Sequence, residues 1–173
     1  ATDYYQQSVQ YGNTKDAAFQ IGVIYFEGTN ICEPDFELAT NYFKMAAASG
    51  QTEAFSYLGD LMRLSGADDQ ALLFYLEGAH NGIQDAMYSL ADMYYERGEY
   101  DSSAYWANKC PDNVLALYLL GCIYYAQQDF AQAKYYWQQC VSRFHHADAL
   151  TMLKKLESGE TECYGTFNGL IET

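Results

Sequence analysis

The chain has 173 residues, 50% hydrophobic and 17% aromatic with 18 tyrosines, so it carries material for a folded core and disorder over most of its length is excluded. Its 23 acids against 9 Lys and Arg give a formal charge of −14. That excludes nucleic acid and anionic membrane surfaces as partners, since phosphates want a basic patch.

In chain order, one two-part pattern recurs. The first half reads Ala, four residues, Gly or Ala, two residues, then a large residue: Ala17–Gly22–Tyr25, Ala54–Gly59–Met62, Ala86–Ala91–Tyr94 and Ala116–Gly121–Tyr124. The second half reads small, two residues, aromatic, three residues, small: Ala39–Tyr42–Ala46, Ala71–Phe74–Gly78, Ser103–Trp106–Cys110 and Ala133–Tyr136–Cys140. Spacings of three to five residues define helix faces, not strands. Small residues let two helices approach, and the aromatics are expected to fill the gap between neighbouring pairs. The pattern is strongest over Ala86 to Cys140. There a shift of 30 lays Ala91 on Gly121, Tyr94-Tyr95 on Tyr124-Tyr125, Tyr105-Trp106 on Tyr135-Tyr136 and Cys110 on Cys140.

The expected fold class is therefore all-α, a right-handed α-solenoid of antiparallel helical hairpins in a single domain over 1–173. Four full repeats are expected over 16–48, 52–79, 84–110 and 114–143. The opening Ala1-x-x-Tyr4-Tyr5-x-x-Ser8 repeats the second-half pattern, so 1–12 is expected to be the last helix of an incomplete repeat. Residues 147–158 are expected to cap the array, closed by Gly159, and 160–173 form a tail. Pro34 is placed at the start of a second helix, with Asp35 and Glu37 in its first turn. Gly66, Gly98 and Gln127-Gln128-Asp129 mark the other hairpin turns, and Gly50, Gly82 and Pro111 the connections between hairpins.

The stretch Leu90-Ala91-Asp92-Met93-Tyr94-Tyr95-Glu96-Arg97-Gly98-Glu99-Tyr100 resembles the tetratricopeptide repeat consensus. Ile21-Gly22-Val23-Ile24-Tyr25-Phe26-Glu27-Gly28, with Ala39-x-x-Tyr42-Phe43-x-x-Ala46-Ala47 after a longer turn, resembles the related Sel1-like repeat. Repeats two to four follow at 32 and 30 residues, below the 34 usual for tetratricopeptide arrays. The resemblance implies a binding scaffold rather than an enzyme, with the ligand on the concave face formed by the first helices. Carried across, it points to Asp16, Phe19, Val23 and Phe26 in the first repeat, and to Glu53, Ser56, Asp60 and Arg63 in the second. In the third it points to Asp85, Tyr88, Asp92, Tyr95 and Glu96, and in the fourth to Leu115, Tyr118, Cys122 and Tyr125.

The strongest candidates are Asp60, Arg63, Asp85, Tyr88, Asp92, Tyr95, Glu96, Tyr118 and Tyr125. Related domains that grip acidic chaperone C-termini use Lys, Arg and Asn at such positions, so this face is expected to take a basic or aromatic-rich polypeptide. Exchanging Asp60, Asp92 and Glu96 for Lys is expected to abolish binding without unfolding. The alternative is an immunity or inhibitor protein that neutralises a toxin or enzyme.

No phosphate loop and no His-Glu-x-x-His occurs, and no cofactor, metal or catalytic residue is expected. Cys140, which with His145 and His146 would suggest a metal cluster and with His145 alone a nucleophile pair, reads instead as a buried thiol, and Asp68-Asp69 or Asp85 with Asp92 read as a solvated face rather than hydrolytic acids. Cys32, Cys110, Cys122, Cys140 and Cys163 form no C-x-x-C pair. They read mainly as small buried residues, with one or two disulfides as the alternative. The longest apolar run, Val114 to Ala126, falls short of the roughly 20 residues that span a bilayer, so no membrane insertion is expected. A monomer is expected. The chain starts at Ala1 rather than Met, so the lack of a leader decides nothing; the reading leans to the cytoplasm, with export open.

Overall fold

The computed structural model describes residues 14–28 and 33–159. The helix expected over 1–12, the tail 160–173, Ile31, Cys32 and Cys163 lie outside them. The described residues are all-α, with no strand among them, and they form helical hairpins of the α-solenoid class. The chain divides into two compact units, Ala1–Cys110 and Pro111–Thr173.

In the first unit α1 (Thr14–Glu27) pairs with α2 (Phe36–Ala48), α3 (Ala54–Leu64) with α4 (Asp68–His80), and α5 (Gln84–Glu96) with α6 (Tyr100–Ala107). In the second, α7 (Val114–Ala126) pairs with α8 (Phe130–Phe144), and α9 (Ala147–Ser158) packs on α8. Within the first unit each hairpin leans on the next through its second helix, α2 on α3 and α4 on α5, while α3 also meets α5 directly.

The sequence signals act as local chemistry. Asp35 caps α2, its carboxylate accepting from the Leu38 N–H at 3.0 Å; Pro34 therefore sits one residue ahead of the cap rather than inside the helix. Asn113 accepts from Leu115 and Ala116 at the start of α7, and Asp129 from Gln132 at the start of α8. Each satisfies an amide that a helix start leaves unpaired.

The cores of the first, second and fourth hairpins are each built on one close approach. A Cβ on Gly22 would lie 2.8 Å from the Phe43 ring; on Gly59 it would run into Tyr75, and on Gly121 into the indole of Trp137. Phe43, Tyr75 and Trp137 are all fully buried. The buried ring thus sits one residue later in the second helix than the pattern Tyr42, Phe74, Trp106 and Tyr136 indicates. Those four are half-buried; Tyr42 stacks on Tyr25 and Tyr136 on Tyr124. Trp106 packs at the edge of the core near His80. The third hairpin departs from the scheme: Ala91 and Ala107 occupy the glycine and ring positions, and the Ser103 hydroxyl donates to the Ala91 carbonyl at 2.6 Å.

Turns after α3, α5 and α7 close alike, with Gly66, Gly98 and Gln128 in the left-handed region at φ 76°, 75° and 63°. Paired backbone bonds from Gln128 to Tyr125 and from Asp129 to Tyr124 complete a Schellman-type end. Gln128 is the one of the three with a Cβ, which is disfavoured there. Gln128→Gly is expected to stabilise the second unit by about 1 kcal/mol, read as a higher urea midpoint. Gly121→Ala is expected to destabilise it by about 1–3 kcal/mol through overpacking on Trp137, read in the same titration.

Candidate functional site

The first helices α1, α3 and α5 place the expected face of the first unit. A helix brings positions 56, 60 and 63 onto one stripe of α3, and two of these carry charge. Arg63 reaches across to α5, where one terminal nitrogen donates to Asp92 Oδ2 at 3.0 Å and the other to Glu96 at 3.0 and 3.2 Å. Burial disfavours the Arg63 cation, but the Asp92 hydrogen bond and both carboxylate charges outweigh it and raise its pKa. Arg63 is the only Lys or Arg on α3 and α5, and it is already bound within the face.

Asp60 is turned inward. The buried Tyr75, whose ring lies against Gly59, donates its hydroxyl to Asp60 Oδ1 at 2.6 Å. Burial raises the Asp60 pKa, the Tyr75 bond and Arg63 lower it, and Asp85 raises it again; the balance is upward. Burial followed by the Asp60 carboxylate pushes the Tyr75 phenol well up. Tyr57, packed against Phe19, Phe26 and Phe43, is raised by burial and then by Glu27, Asp60 and Asp85. The structure therefore brings together Asp60, Arg63, Asp85, Asp92 and Glu96, and adds three residues that the pattern did not indicate: Glu27, Tyr57 and Tyr75.

Tyr88 and Tyr95 are half-buried on the same helix, α5, with the Tyr95 ring 5.6 Å from Tyr100. On α1, Asp16 is exposed, while Phe19, Val23 and Phe26 are half-buried and pack against the core. Glu53 is exposed at the start of α3. The Asp60, Asp92 and Glu96 carboxylates hold Tyr75 and Arg63, so a triple exchange for Lys tests the fold together with binding. Asp85 and Glu27, both exposed, are the cleaner positions.

Tyr118 and Tyr125 lie on α7 of the second unit. The Tyr118 carbonyl accepts from the Trp137 indole N–H at 3.3 Å and its ring lies 5.1 Å from His146. Tyr125 packs between Phe130 and Trp137. Leu115 is exposed and Cys122 half-buried.

Two of the described thiols, Cys110 and Cys140, are poorly placed for nucleophilic chemistry. Cys140 is buried, donates toward the Val114 carbonyl, and burial pushes its pKa up to about 11; a nucleophilic thiol needs the opposite shift. Cys110 has the matching contact with the Gln84 carbonyl and is raised by burial and by Asp85. Cys110, Cys122 and Cys140 are free thiols. His146 accepts from the Ala149 N–H at the start of α9, and His145 ends α8 in a left-handed conformation. Among the described residues no three His, Cys, Asp or Glu side chains converge as a metal site, and no helix is long and apolar enough to cross a membrane.

With the Asp60 pKa raised in the fold, the folded state binds more protons than the unfolded one between the ordinary value of 3.8 and the raised value. Stability from this group therefore falls as pH rises through that window. Asp60→Asn, which keeps an oxygen for Tyr75, is expected to match or exceed the native melting temperature at pH 7. It should lose that advantage as pH falls toward 4, checked by thermal melts across the range.

The tetratricopeptide repeat family model matches residues 114–147, the α7–α8 hairpin. Solved structures share the fold, two of them as follows. One is a protective antigen present in uropathogenic Escherichia coli strains and displaying an SLR (Sel1-like repeat) fold, with a TM-score of 0.80 at 19% identity over 91% of this chain. The other is a Sel1 repeat protein from Oxalobacter formigenes, with a TM-score of 0.64 at 22% identity over 80% of this chain. The chain spans 36% and 61% of the lengths of those two proteins. No curated protein matches it by sequence.

Proposed function

We propose that this chain, a helical-repeat protein of the Sel1-like and tetratricopeptide type, is a non-catalytic interaction scaffold that binds a basic, aromatic-bearing polypeptide on the first-helix face of its first unit. One observation carries the reading. Arg63 is the single Lys or Arg on α3 and α5 and is held by Asp92 and Glu96, which leaves Glu27, Asp60 and Asp85 to set the sign of the face around Tyr57. Such a surface repels an acidic segment and steers a cationic one toward itself. The half-buried Tyr57, Tyr88 and Tyr95 supply the rigid amphipathic contacts that anchor polypeptide partners.

Peptide display against the purified chain at low and high salt tests the reading. Selected peptides are expected to be rich in Arg, Lys and aromatic residues and to bind less well as salt rises. Glu27→Lys with Asp85→Lys is expected to weaken them about tenfold with the helical circular dichroism unchanged. Selection of acidic or uncharged peptides indifferent to salt would sink the reading.

A further inference from the structure

Asp35, Asn113 and Asp129 cap their helices through side-chain oxygens, but α9 starts on a histidine. His146 Nδ1 accepts from the Ala149 N–H at 3.2 Å. The difference is chemical. Asn does not titrate and Asp titrates only in acid, whereas an imidazole accepts a hydrogen bond only while neutral, because its cation is a donor at both nitrogens. Ala149 is fully buried, so an amide released there has no water to turn to.

What the cap holds is the end of the second unit. Through buried Ala149 and Leu153, α9 joins the core cluster of Leu117, Ala133, Trp137 and Cys140. Outside that apolar contact Lys134 on α8 meets Glu157 on α9 at 3.1 Å, an exposed pair of the kind that contributes little. The groups around the ring come from every side of the junction. Tyr118 of α7 packs its ring 5.1 Å away, a contact open to the imidazole in either form. Asp148, exposed in the first turn of α9, attracts a cation but is screened by solvent. Against a cation stand the first-turn amides of α9, the adjacent His145 and Arg143 at the end of α8, the last already bound to Asp112 and the Pro111 carbonyl.

We propose that His146 is an acid-operated release for α9: proton uptake at Nδ1 withdraws the cap, and α9 lifts from the end of the fourth hairpin, uncovering Leu117, Trp137 and Cys140. Only the neutral ring caps, so the closed helix binds fewer protons than the open one. The hold is therefore complete above the ordinary histidine range and weakens as pH falls through it. This device is independent of the acidic face of the first unit, and neither stands or falls with the other.

NMR of the isotope-labelled full chain tests it from about pH 7.5 to about 5.5, a window that spans the histidine range and stays above the ordinary carboxylate range. At the upper end the His146 ring is expected to carry its proton on Nε2 and leave Nδ1 bare; a protonated Nδ1 there would overturn the proposal, whatever the variants do. On acidification, opening read by hydrogen exchange at Ala149 and Leu153, corrected for intrinsic rates, is expected to rise about fivefold, as the loss of one cap implies. Amides in the middle of α8 should hold. His146→Asn, which caps without titrating, should abolish the rise, and His145→Asn, which tolerates the left-handed turn, should keep it. Unchanged opening of α9 in the native chain, a rise that survives in His146→Asn or vanishes in His145→Asn, or α8 opening in step with α9 would each overturn the assignment.

Discussion

A flat ring lying against a residue without a side chain sets the helix spacing within three of the four hairpins, and the rest of the structure depends on that contact. Phe43 on Gly22, Tyr75 on Gly59 and Trp137 on Gly121 are one device in three chemical versions, and the versions differ in what they do with their polar atoms. Phe43 has none. Trp137 passes its indole N–H to the Tyr118 carbonyl, and Tyr75 passes its hydroxyl to Asp60. A buried donor must find an acceptor, and in the second hairpin that acceptor is a residue of the outward stripe. Core packing and surface charge are therefore joined at Asp60, which is why its carboxylate is half-buried.

The same economy governs the face as a whole. With a formal charge of −14 the chain has few cations to spend on structure, and Arg63 is placed where it ties α3 to α5. That bond is partly buried, between a half-exposed guanidinium and the better-shielded Asp92, so it resists salt better than the surface pairs Arg97–Asp69, Lys134–Glu157 and Arg143–Asp112. An incoming cation finds Asp92 and Glu96 already engaged and Asp85 and Glu27 exposed.

Much of the fold was legible because its signals are local. The spacing of small residues, the cap at Asp35 and the glycine turns each act within a few positions, and the helices follow them. Which aromatic enters the core was not legible. Tyr136 and Trp137 are adjacent, positions three and four after Ala133 both lie on a plausible helix face, and only the path of the neighbouring helix chooses between them. For the site, the first-helix register places Asp60, Asp92 and Glu96 on the face. Their partners lie 15 to 33 residues away, and no local pattern encodes that Tyr75 and Arg63 would claim these carboxylates.

The third hairpin lacks the device on which the others rely. Buried Ala91 and Ala107 stand at the positions that a glycine and a ring fill elsewhere, and α6 has only 8 residues. A hydroxyl–carbonyl bond from Ser103 holds the contact, burying far less apolar area than an aromatic would. Local opening in a repeat protein begins where nearest-neighbour contacts are thinnest, which puts α5 and α6 first within their unit. The Arg63 clasp lands on α5. Those two ion pairs thus act as a latch on the loosest hairpin, and any cation that competed for Asp92 and Glu96 would release it as it bound.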